Sequence, residues 1–474
     1  MNILNEPVYV GFIQLLISLI MISGLIFLGR IINNFIFNKY NYLFFNLLVG
    51  LIIFSQFLKI IVFLGVFEKI YIPLSFLLLI SGLYNFKNFI GIKKNWNIKK
   101  LSIIEISILF FIFLLLLNSI APPSMADALD YHYGVPIYLL KNFTIPNFDF
   151  WLWGSVVVGN SEIMNSLPMY LGTDNFNSII QVLSLILFFV FFNNEIKSKE
   201  KFNFFTLFIL SSPTILQLVS GPKFMLMPQL MTTTALYLFI KIKKINTFDF
   251  IFISILLMGA TQFRSSFIIS GVIIGFLTFL KAIKSNQMKI LFSSFILISI
   301  FFLPTALWNY NQLINFNLFN IFSMMPAEMM ETMKTWREND YIFPVNLFFP
   351  SSLGKISTII GFQIFLIFFT FSKSKDSRIV LFVIFSTVLL QYFLGMNVGR
   401  VYFEFILWSS LYFVFINKKI NFKLFQKIIL PQFFCVVFLS GYFAVISIPG
   451  IFSNDHRDKF MKKNSFEHEI AQWV

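Results

Sequence analysis

Long runs of apolar residues, separated by short polar connections, make up most of the chain. Most runs have roughly 20 residues, the length that an α-helix needs to cross a bilayer. The alternating pattern of membrane β-barrel strands does not occur, and backbone inside a bilayer must satisfy its own hydrogen bonds. The pattern therefore predicts an all-α, polytopic transmembrane helix bundle. We expect about fourteen spans, at residues 8–29, 43–65, 70–86, 101–121, 175–192, 202–220, 225–240, 250–263, 266–280, 290–308, 353–372, 379–396, 401–416 and 428–448.

The composition excludes a soluble protein, which is the main alternative to a membrane protein. Hydrophobic residues make up 58% of the chain and charged residues 12%, with a mean hydropathy of +0.81. Soluble chains carry about 25% charged residues, so a soluble enzyme is excluded. The one cysteine, Cys435, lies in an apolar run. The chain therefore offers neither a disulfide framework nor a thiolate metal cluster.

The net charge of +15 is distributed unevenly between the connections. With the N-terminus outside, alternate connections and the adjoining helix ends hold 23 of the 36 Lys and Arg but only 5 of the 21 Asp and Glu. An excess of Lys and Arg is typical of cytoplasmic loops. We therefore interpret the charge as membrane orientation and contact with anionic lipid, with no nucleic-acid partner, and expect a protein of the cytoplasmic (inner) membrane. The predicted cytoplasmic connections are 30–42, 87–100, 193–201, 241–249, 281–289, 373–378 and 417–427.

Three connections on the predicted outer side, 122–174, 309–352 and the tail 449–474, are longer than a helix hairpin needs. Function in polytopic proteins is concentrated in such loops and in polar residues kept at membrane depth. The second loop has Met at helical intervals between acidic residues, which predicts an amphipathic helix on the outer leaflet. For the mixed-charge tail we expect a surface helix.

The first outer loop carries two acidic residues just after a transmembrane helix. Pro122 and Pro123 end that helix, and Ser124 is a suitable N-cap for a short helix carrying Met125 to Tyr133. On it, Asp127 and Asp130 would share a face. The helix dipole favours the ionised form of Asp127, which can then act as a base at neutral pH. The alternative is that both aspartates are capping and solvated loop residues.

The same loop resembles the first extracytoplasmic loop of the bacterial GT-C glycosyltransferases. These integral-membrane enzymes are related to the protein O-mannosyltransferases and the lipid A aminoarabinose transferases. The matching positions, which follow a Pro-rich helix stop, are Asp127, Ala128, Leu129, Tyr131, His132, Pro136 and Glu162. Weaker similarities occur at Ser211-Ser212-Pro213 with Lys223, at 259–264 and at Trp308-Asn309-Tyr310.

The resemblance extends from about residue 101 to about residue 410, which divides the chain into three parts. Residues 1–100 would be additional N-terminal transmembrane helices, 101–448 the GT-C-like catalytic region, and 449–474 an extracytoplasmic tail. In the related enzymes the second loop orders over the substrate. The resemblance thus implies contacts of Trp336, Arg337 or Tyr341 with donor or acceptor.

The activity that the resemblance implies is sugar transfer from a polyprenyl-phosphate-linked donor to a lipid, glycan or protein acceptor at the outer face of the membrane. Such a reaction needs a carboxylate base and cations that hold the departing phosphate. On the family's pattern, Asp127 would be the base and would invert the anomeric centre. Asp130 would have a supporting role or contact a metal, and Glu162 would shape the acceptor pocket.

Three cations at the ends of apolar spans are candidates for the donor phosphate: Lys223, Arg264 and Arg400. An isolated cation at membrane depth is costly and needs a partner, which a phosphate would supply. The alternative is that each reaches a lipid headgroup or pairs with a local acid, such as Arg400 with Glu404.

No cofactor is certain from the sequence, although a divalent metal remains open. Of the three histidines, His456 and His468 lie in the tail, so a zinc site at His132 would need several carboxylates. The alternative for His132 is a hydrogen bond to a loop carboxylate.

Two other classes of membrane protein are alternatives to a glycosyltransferase. An O-antigen-type polymerase would be expected to carry Arg-rich outer loops where this chain has acids. A transporter or flippase of lipid-linked sugars would be expected to show related halves, and no internal repeat is found.

Overall fold

The computed structural model describes residues 9–37, 40–90, 101–123, 128–146, 159–284, 287–316, 344–370, 374–393, 399–416 and 420–464. All regular secondary structure in these ranges is helical. The α-helices, labelled in chain order, are α1 (Gly11–Ile32), α2 (Leu43–Phe63), α3 (Phe67–Ile90), α4 (Ile103–Ser119), α5 (Gly134–Asn142), α6 (Asn160–Tyr170), α7 (Phe176–Glu195), α8 (Lys199–Leu210), α9 (Thr214–Val219), α10 (Leu226–Lys241), α11 (Thr247–Phe263), α12 (Ile268–Ile283), α13 (Gln287–Phe316), α14 (Lys375–Phe393), α15 (Gly399–Phe415), α16 (Phe422–Phe452) and α17 (Asn454–Asn464). Two π-helices (Asn33–Phe37, Ala128–Tyr133) and four 3₁₀ segments (Ser265–Phe267, Val345–Leu347, Leu353–Thr358, Phe362–Phe369) join them.

The prediction of an all-α polytopic protein is confirmed at the level of helix length and composition. In the described residues, eight helices are long and apolar enough to cross a membrane. Three shorter apolar helices accompany them, at Ile103–Ser119, Thr247–Phe263 and Lys355–Phe369. The eight are Gly11–Phe37, Leu43–Phe63, Phe67–Phe86, Phe176–Glu195, Ser265–Ile283, Lys289–Trp308, Lys375–Phe393 and Phe422–Phe452.

Two predicted spans are interrupted in the structure. The described part of the run 353–372, residues 353–370, forms two 3₁₀ segments rather than one α-helix, and they are separated at Gly361, which has a φ of +91°. The Ile359 carbonyl oxygen accepts a hydrogen bond from the Thr214 hydroxyl instead of a helical N–H. The run 202–220 is divided into α8 and α9, because Pro213 lacks the N–H that would continue the helical ladder.

The short helix predicted at 125–133 has a different geometry from the one expected. Its described part, Ala128–Tyr133, is a π-helix that leads directly into α5. π-Helical turns are rare in proteins, but those that occur often lie at functional sites. Asp127 lies outside the described residues, and only the backbone of Asp130 is described. That these two aspartates share a face therefore stays a prediction.

Hydrogen bonds and ion pairs group the helix ends into two sets. At one end, which we call the basic face, Glu195 pairs with Lys241, and Lys199 lies 2.9 Å from Glu105. Tyr40 also reaches Asp249 across this end, at 2.5 Å. Further hydrogen bonds join helix ends on this face, such as those from Lys281 to the Phe239 carbonyl and from Lys201 to the Val414 carbonyl. The basic face comprises the described helix ends near residues 37–43, 101–105, 195–201, 239–249, 281, 374–378 and 414–426.

The opposite end of the bundle, which we call the loop face, contains the described parts of the loop 122–174 and of the tail. The Tyr9 N–H donates to the Gly172 carbonyl at 3.2 Å, and Arg457 of α17 forms a buried ion pair with Asp174. The predicted tail helix is confirmed as α17. The first loop and the tail therefore lie on the same side of the bundle, as the charge alternation predicts.

Helix α2 lies in the interior of the bundle. Of its most apolar stretch, 83% is buried, against 17% for α13. It packs closely on α1 because a side chain at Gly29 would collide with the Asn46 carbonyl, and one at Gly50 with the Leu25 carbonyl. Close backbone approach at small residues is a usual means of helix packing in membranes.

Candidate functional site

Three side chains that are far apart in the sequence meet at the loop face. His132 comes from the π-helix, Glu162 from the first turn of α6, and Arg264 from the residue after α11. The His132 Nδ1 lies 2.7 Å from the Glu162 Oε1. The Arg264 Nη2 lies 2.7 Å from the His132 Nε2 and 3.5 Å from the Glu162 Oε1. We call these three residues the loop-face cluster.

Glu162 is positioned by the start of its own helix. Its Oε2 accepts hydrogen bonds from the Gly159 N–H at 2.9 Å and from the Ser161 hydroxyl at 2.7 Å. A glutamate in the first turn is also favoured by the helix dipole. Gly159 is required here because a Cβ would lie 2.5 Å from the Phe263 carbonyl oxygen. The start of α6 thus sits directly on the end of α11, which brings Glu162 to Arg264.

Arg264 takes an extended conformation where α11 ends and is followed by the 3₁₀ turn Ser265–Phe267. Its side chain is 12% exposed. The Nε is buried and, among the described residues, has no hydrogen-bond partner. A guanidinium has five N–H donors, so this side chain has donors beyond those that the loop-face cluster uses.

The electrostatics fix the protonation of the loop-face cluster. Burial and the Arg264 guanidinium lower the pKa of His132 to about 4, although Glu162 acts in the opposite direction. Burial alone would raise the pKa of Glu162, but Arg264, His132 and Ser161 outweigh it and hold that pKa at about 2. At neutral pH the cluster therefore contains a neutral imidazole between a carboxylate and a guanidinium.

This protonation state determines what His132 can do. Its Nδ1 carries the proton and donates it to Glu162, so the Nε2 lone pair faces Arg264. Both ring nitrogens are occupied, and the hydrogen bond to a loop carboxylate considered from the sequence is present. His132 is therefore not free to bind a metal, and Glu162, with its low pKa, is a weak base. The arrangement is suited to holding Arg264 in place.

The structure brings one other predicted cation close to this cluster. Lys223 is buried in the connection between α9 and α10, and its charge contributes to the lowered pKa of His132. Arg400 lies in the first turn of α15, where its carbonyl oxygen accepts a 2.7 Å hydrogen bond from Gln229. Among the described residues, no hydrogen bond or ion pair joins Arg400 to His132, Glu162 or Arg264.

Glu404, the acid considered as an alternative partner of Arg400, has hydrogen-bond partners on other helices. The Glu404 carboxylate is fully buried between helices and accepts hydrogen bonds from the Ser270 hydroxyl at 2.6 Å and from the Thr232 hydroxyl. Two hydroxyl donors thus satisfy the two oxygens of this carboxylate.

Lys59, which is not among the site residues predicted from the sequence, lies beside the loop-face cluster. Lys59 of α2 is 3% exposed, and its Nζ donates a 2.5 Å hydrogen bond to the Gln262 Oε1. Gln262 is two residues before Arg264 on the same helix end. The signal was available, because Lys59 is the only charged residue within the apolar run 43–65.

Several predicted site residues lie outside the described residues: Asp127, Trp336, Arg337 and Tyr341. The side chain of Asp130 is not described either. Within the described ranges, no group of three or more His, Cys, Asp or Glu is placed to hold a metal ion.

The fold and this cluster define an all-helical protein with several candidate membrane spans and a partly neutralised cationic site where the first loop meets the bundle. Residues 8–461 match the model of the family described as DUF1420 N-terminal domain. The chain belongs to this family. No match was found among the curated proteins or among the solved structures.

Proposed function

We propose that this protein is a membrane glycosyltransferase that moves a sugar from a polyprenyl-phosphate-linked donor to a lipid, glycan or protein acceptor. The observation that carries the proposal is the meeting of His132, Glu162 and Arg264. The first two belong to the loop motif that resembles the GT-C enzymes, and the third is a candidate phosphate-binding cation at the end of an apolar span.

The proposal includes the finer architecture. The helices shorter than a full span, among them α4, α10, α11 and α15, would also cross the membrane, giving about fourteen spans of a GT-C-like bundle. The loop face would be the outer face of a bacterial cytoplasmic membrane, and the basic face would be cytoplasmic.

In the proposed reaction, the acceptor oxygen or nitrogen attacks the anomeric carbon while the bond from that carbon to the phosphate oxygen breaks. Asp127 takes the acceptor's proton, and polyprenyl phosphate leaves. Arg264, with Lys223 and Arg400, stabilises the charge that grows on the leaving phosphate. Glu162 and His132 hold the Arg264 guanidinium so that it does not reorganise during the reaction. Asp130 has a supporting role or contacts a divalent metal.

The test is a matched pair of substitutions in the first loop. Asp127→Asn keeps the shape of the side chain but cannot accept a proton, so transfer should fall by about 10²- to 10⁴-fold, the usual contribution of a positioned base. Asp130→Asn is the control and should cost far less. The measurement is mass spectrometry of lipid-linked sugars and surface glycans in cells that contain each variant at equal protein level.

The outcome also separates the rival classes. If neither substitution changes transfer, the glycosyltransferase proposal loses its main support. If Asp127→Asn abolishes movement of lipid-linked sugar across the membrane while transfer itself is absent from the wild type, a flippase is favoured. Longer glycan chains in the wild type than in the variant would instead favour a polymerase.

A further inference from the structure

Lys59 is a charged residue inside one of the helices that are long and apolar enough to cross a membrane. Its side chain is buried among protein rather than exposed on the outside of the bundle, because only 3% of the residue is accessible. Helix α2 starts at Leu43 on the basic face and rises about 1.5 Å per residue, which places Lys59 about 24 Å further along, towards the loop face.

The groups that Lys59 contacts directly are neutral. The Nζ bonds to the neutral Gln262 amide oxygen at 2.5 Å, and the Thr305 hydroxyl shares that oxygen at 3.4 Å. Among the described residues, no carboxylate lies within ion-pair distance of the Nζ, and the charge of Glu162 acts on it only from further away. An ammonium has three N–H donors, and a buried cation without a counter-charge in direct contact is costly.

The surroundings connect Lys59 to the loop-face cluster. Gln262 holds Lys59 at the helix end that carries Arg264. Helix α2 is also fixed to the start of α6, since the Asn160 amide donates to the Gln56 Oε1 at 3.0 Å. Lys59 and Arg264 are therefore joined through Gln262. The Arg264 Nε has no hydrogen-bond partner among the described residues, and the Lys59 ammonium uses one of its three N–H donors for Gln262.

We infer that Lys59 is a further ligand for the anionic group of the substrate, and that it binds a phosphate together with Arg264. The inference rests on the proposed function, which supplies the phosphate as that of the lipid-linked donor. A phosphate accepts charge-assisted hydrogen bonds from both side chains and provides a counter-charge in direct contact, which Lys59 lacks among the described residues. The N-terminal helices would then be part of the substrate site rather than only an addition to it.

The experiment measures binding to the full-length protein in phosphatidylcholine nanodiscs, with undecaprenyl phosphate as the probe. Lys59→Gln removes the charge, and the dissociation constant should rise by about tenfold to a hundredfold, the usual range for a hydrogen bond to a charged group. Lys59→Arg should retain part of the affinity. The matched control is Lys201→Gln, since Lys201 also bonds to a single neutral oxygen, that of Val414, but lies on the basic face.

The substitution Lys59→Met tests whether Lys59 is needed for folding. If Lys59 serves the ligand, removing its uncompensated charge should leave the thermal stability of the ligand-free protein unchanged or higher, because a buried charge that lacks a charged partner is replaced by an apolar side chain. A marked loss of stability in Lys59→Met would show a structural role and overturn the inference.

Three further probes identify the source of the phosphate. Undecaprenol lacks the phosphate and should bind equally to wild type and Lys59→Gln. If inorganic phosphate or phosphatidylglycerol binds with the same dependence on Lys59 and undecaprenyl phosphate does not, the phosphate site is supported but the proposed function is not. If undecaprenyl phosphate binds wild type and Lys59→Gln equally, the inference is overturned while the proposed function stands. Absence of binding by every phosphate probe overturns both.

Discussion

Acidification should destabilise the attachment of the first loop to the membrane helices, and His132 should be responsible. The perturbation is a change of pH from 7.5 to 4.5, applied to the wild type and to His132→Asn. The asparagine keeps a side chain that can hydrogen-bond to Glu162 but does not titrate. His132 is completely buried. The two proteins differ only in this side chain, so the comparison tests the protonation of its imidazole.

The sign and size follow from the pKa of His132, which is lowered from 6.5 to about 4 by burial and by Arg264. Below pH 6.5 the unfolded chain binds a proton that the folded protein does not bind until about pH 4. The unfolded state therefore gains protons first, and stability falls as the pH falls. Over this window the loss amounts to about 2 to 3 kcal/mol.

Glu162 contributes in a lower pH window and does not obscure the result. Its pKa is about 2 in the folded protein against an ordinary value of 4.5. The stability that it contributes is present above pH 4.5 and is lost as the pH falls towards 2. Between pH 6.5 and pH 4.5 the expected loss therefore comes from His132.

The assay is unfolding of the purified protein by sodium dodecyl sulfate in mixed micelles, followed by near-ultraviolet circular dichroism at a series of pH values. The wild type should lose stability steadily between pH 6.5 and 4.5, and His132→Asn should show a flatter profile from a lower starting stability. His456 is an exposed histidine whose substitution should leave the profile unchanged. A wild-type profile without slope, or an equal slope in His132→Asn, would refute the assignment of a neutral buried imidazole.

Three other predictions follow from the same structure. Arg264→Ala should weaken use of the lipid donor by about 1.5 to 3 kcal/mol and Arg264→Lys should recover only part of it; unchanged donor kinetics in both would remove Arg264 from the substrate site. Asp174→Ala or Arg457→Ala should each destabilise the protein by about 3 to 5 kcal/mol, because each leaves a buried charge unpaired, and the double variant should lose less than the sum, as measured by a double-mutant cycle. A cysteine at Asn464 should be labelled by a membrane-impermeant reagent in intact cells and one at Lys243 only after lysis, in a chain whose Cys435 has been replaced; the reverse result would invert the orientation.

The sequence predicted the helices better than it predicted their places in the bundle. Two apolar helices, for example, begin at capping boxes, formed by Ser102 with Glu105 and by Asn246 with Asp249. The central position of α2 could not be predicted from hydropathy, because its mean hydropathy of 2.1 is close to the 2.3 of the exposed stretch in α13. Lipid tails and protein interiors are similarly apolar, so hydropathy does not distinguish a helix that faces lipid from one that faces protein.

The candidate site was predictable in its residues but not in their chemistry. His132, Glu162 and Arg264 were chosen from a motif and from an isolated charge. That His132 lies between the other two, with both nitrogens occupied, depends on distances that sequence spacing does not contain. The interruption of the run 353–372 was not predictable either, since bonds to Ser212 and Thr214 come from a distant helix break.

Lys59 illustrates how one charge in an apolar run can be more informative than the run itself. An ionisable residue within a membrane span faces protein or a cavity and has a partner there. The run 43–65 was interpreted as a span by its average hydropathy, which one lysine hardly changes. The single lysine nevertheless indicates the interior position of α2 and the anion site proposed there.

The partners of the buried cations at the loop face distinguish structural from substrate-binding charges. Arg457 has Asp174 and Arg264 has Glu162, so replacing either cation also uncovers a buried carboxylate and should reduce folding stability. Lys59 has a neutral amide as its direct partner instead, so its replacement breaks no ion pair, and Glu162 keeps Arg264 and His132. Arg264 variants should therefore lose stability and donor affinity together, whereas Lys59 variants should lose affinity alone. Unfolding and binding measurements on the same samples can therefore distinguish a cation that stabilises the fold from one that binds a ligand.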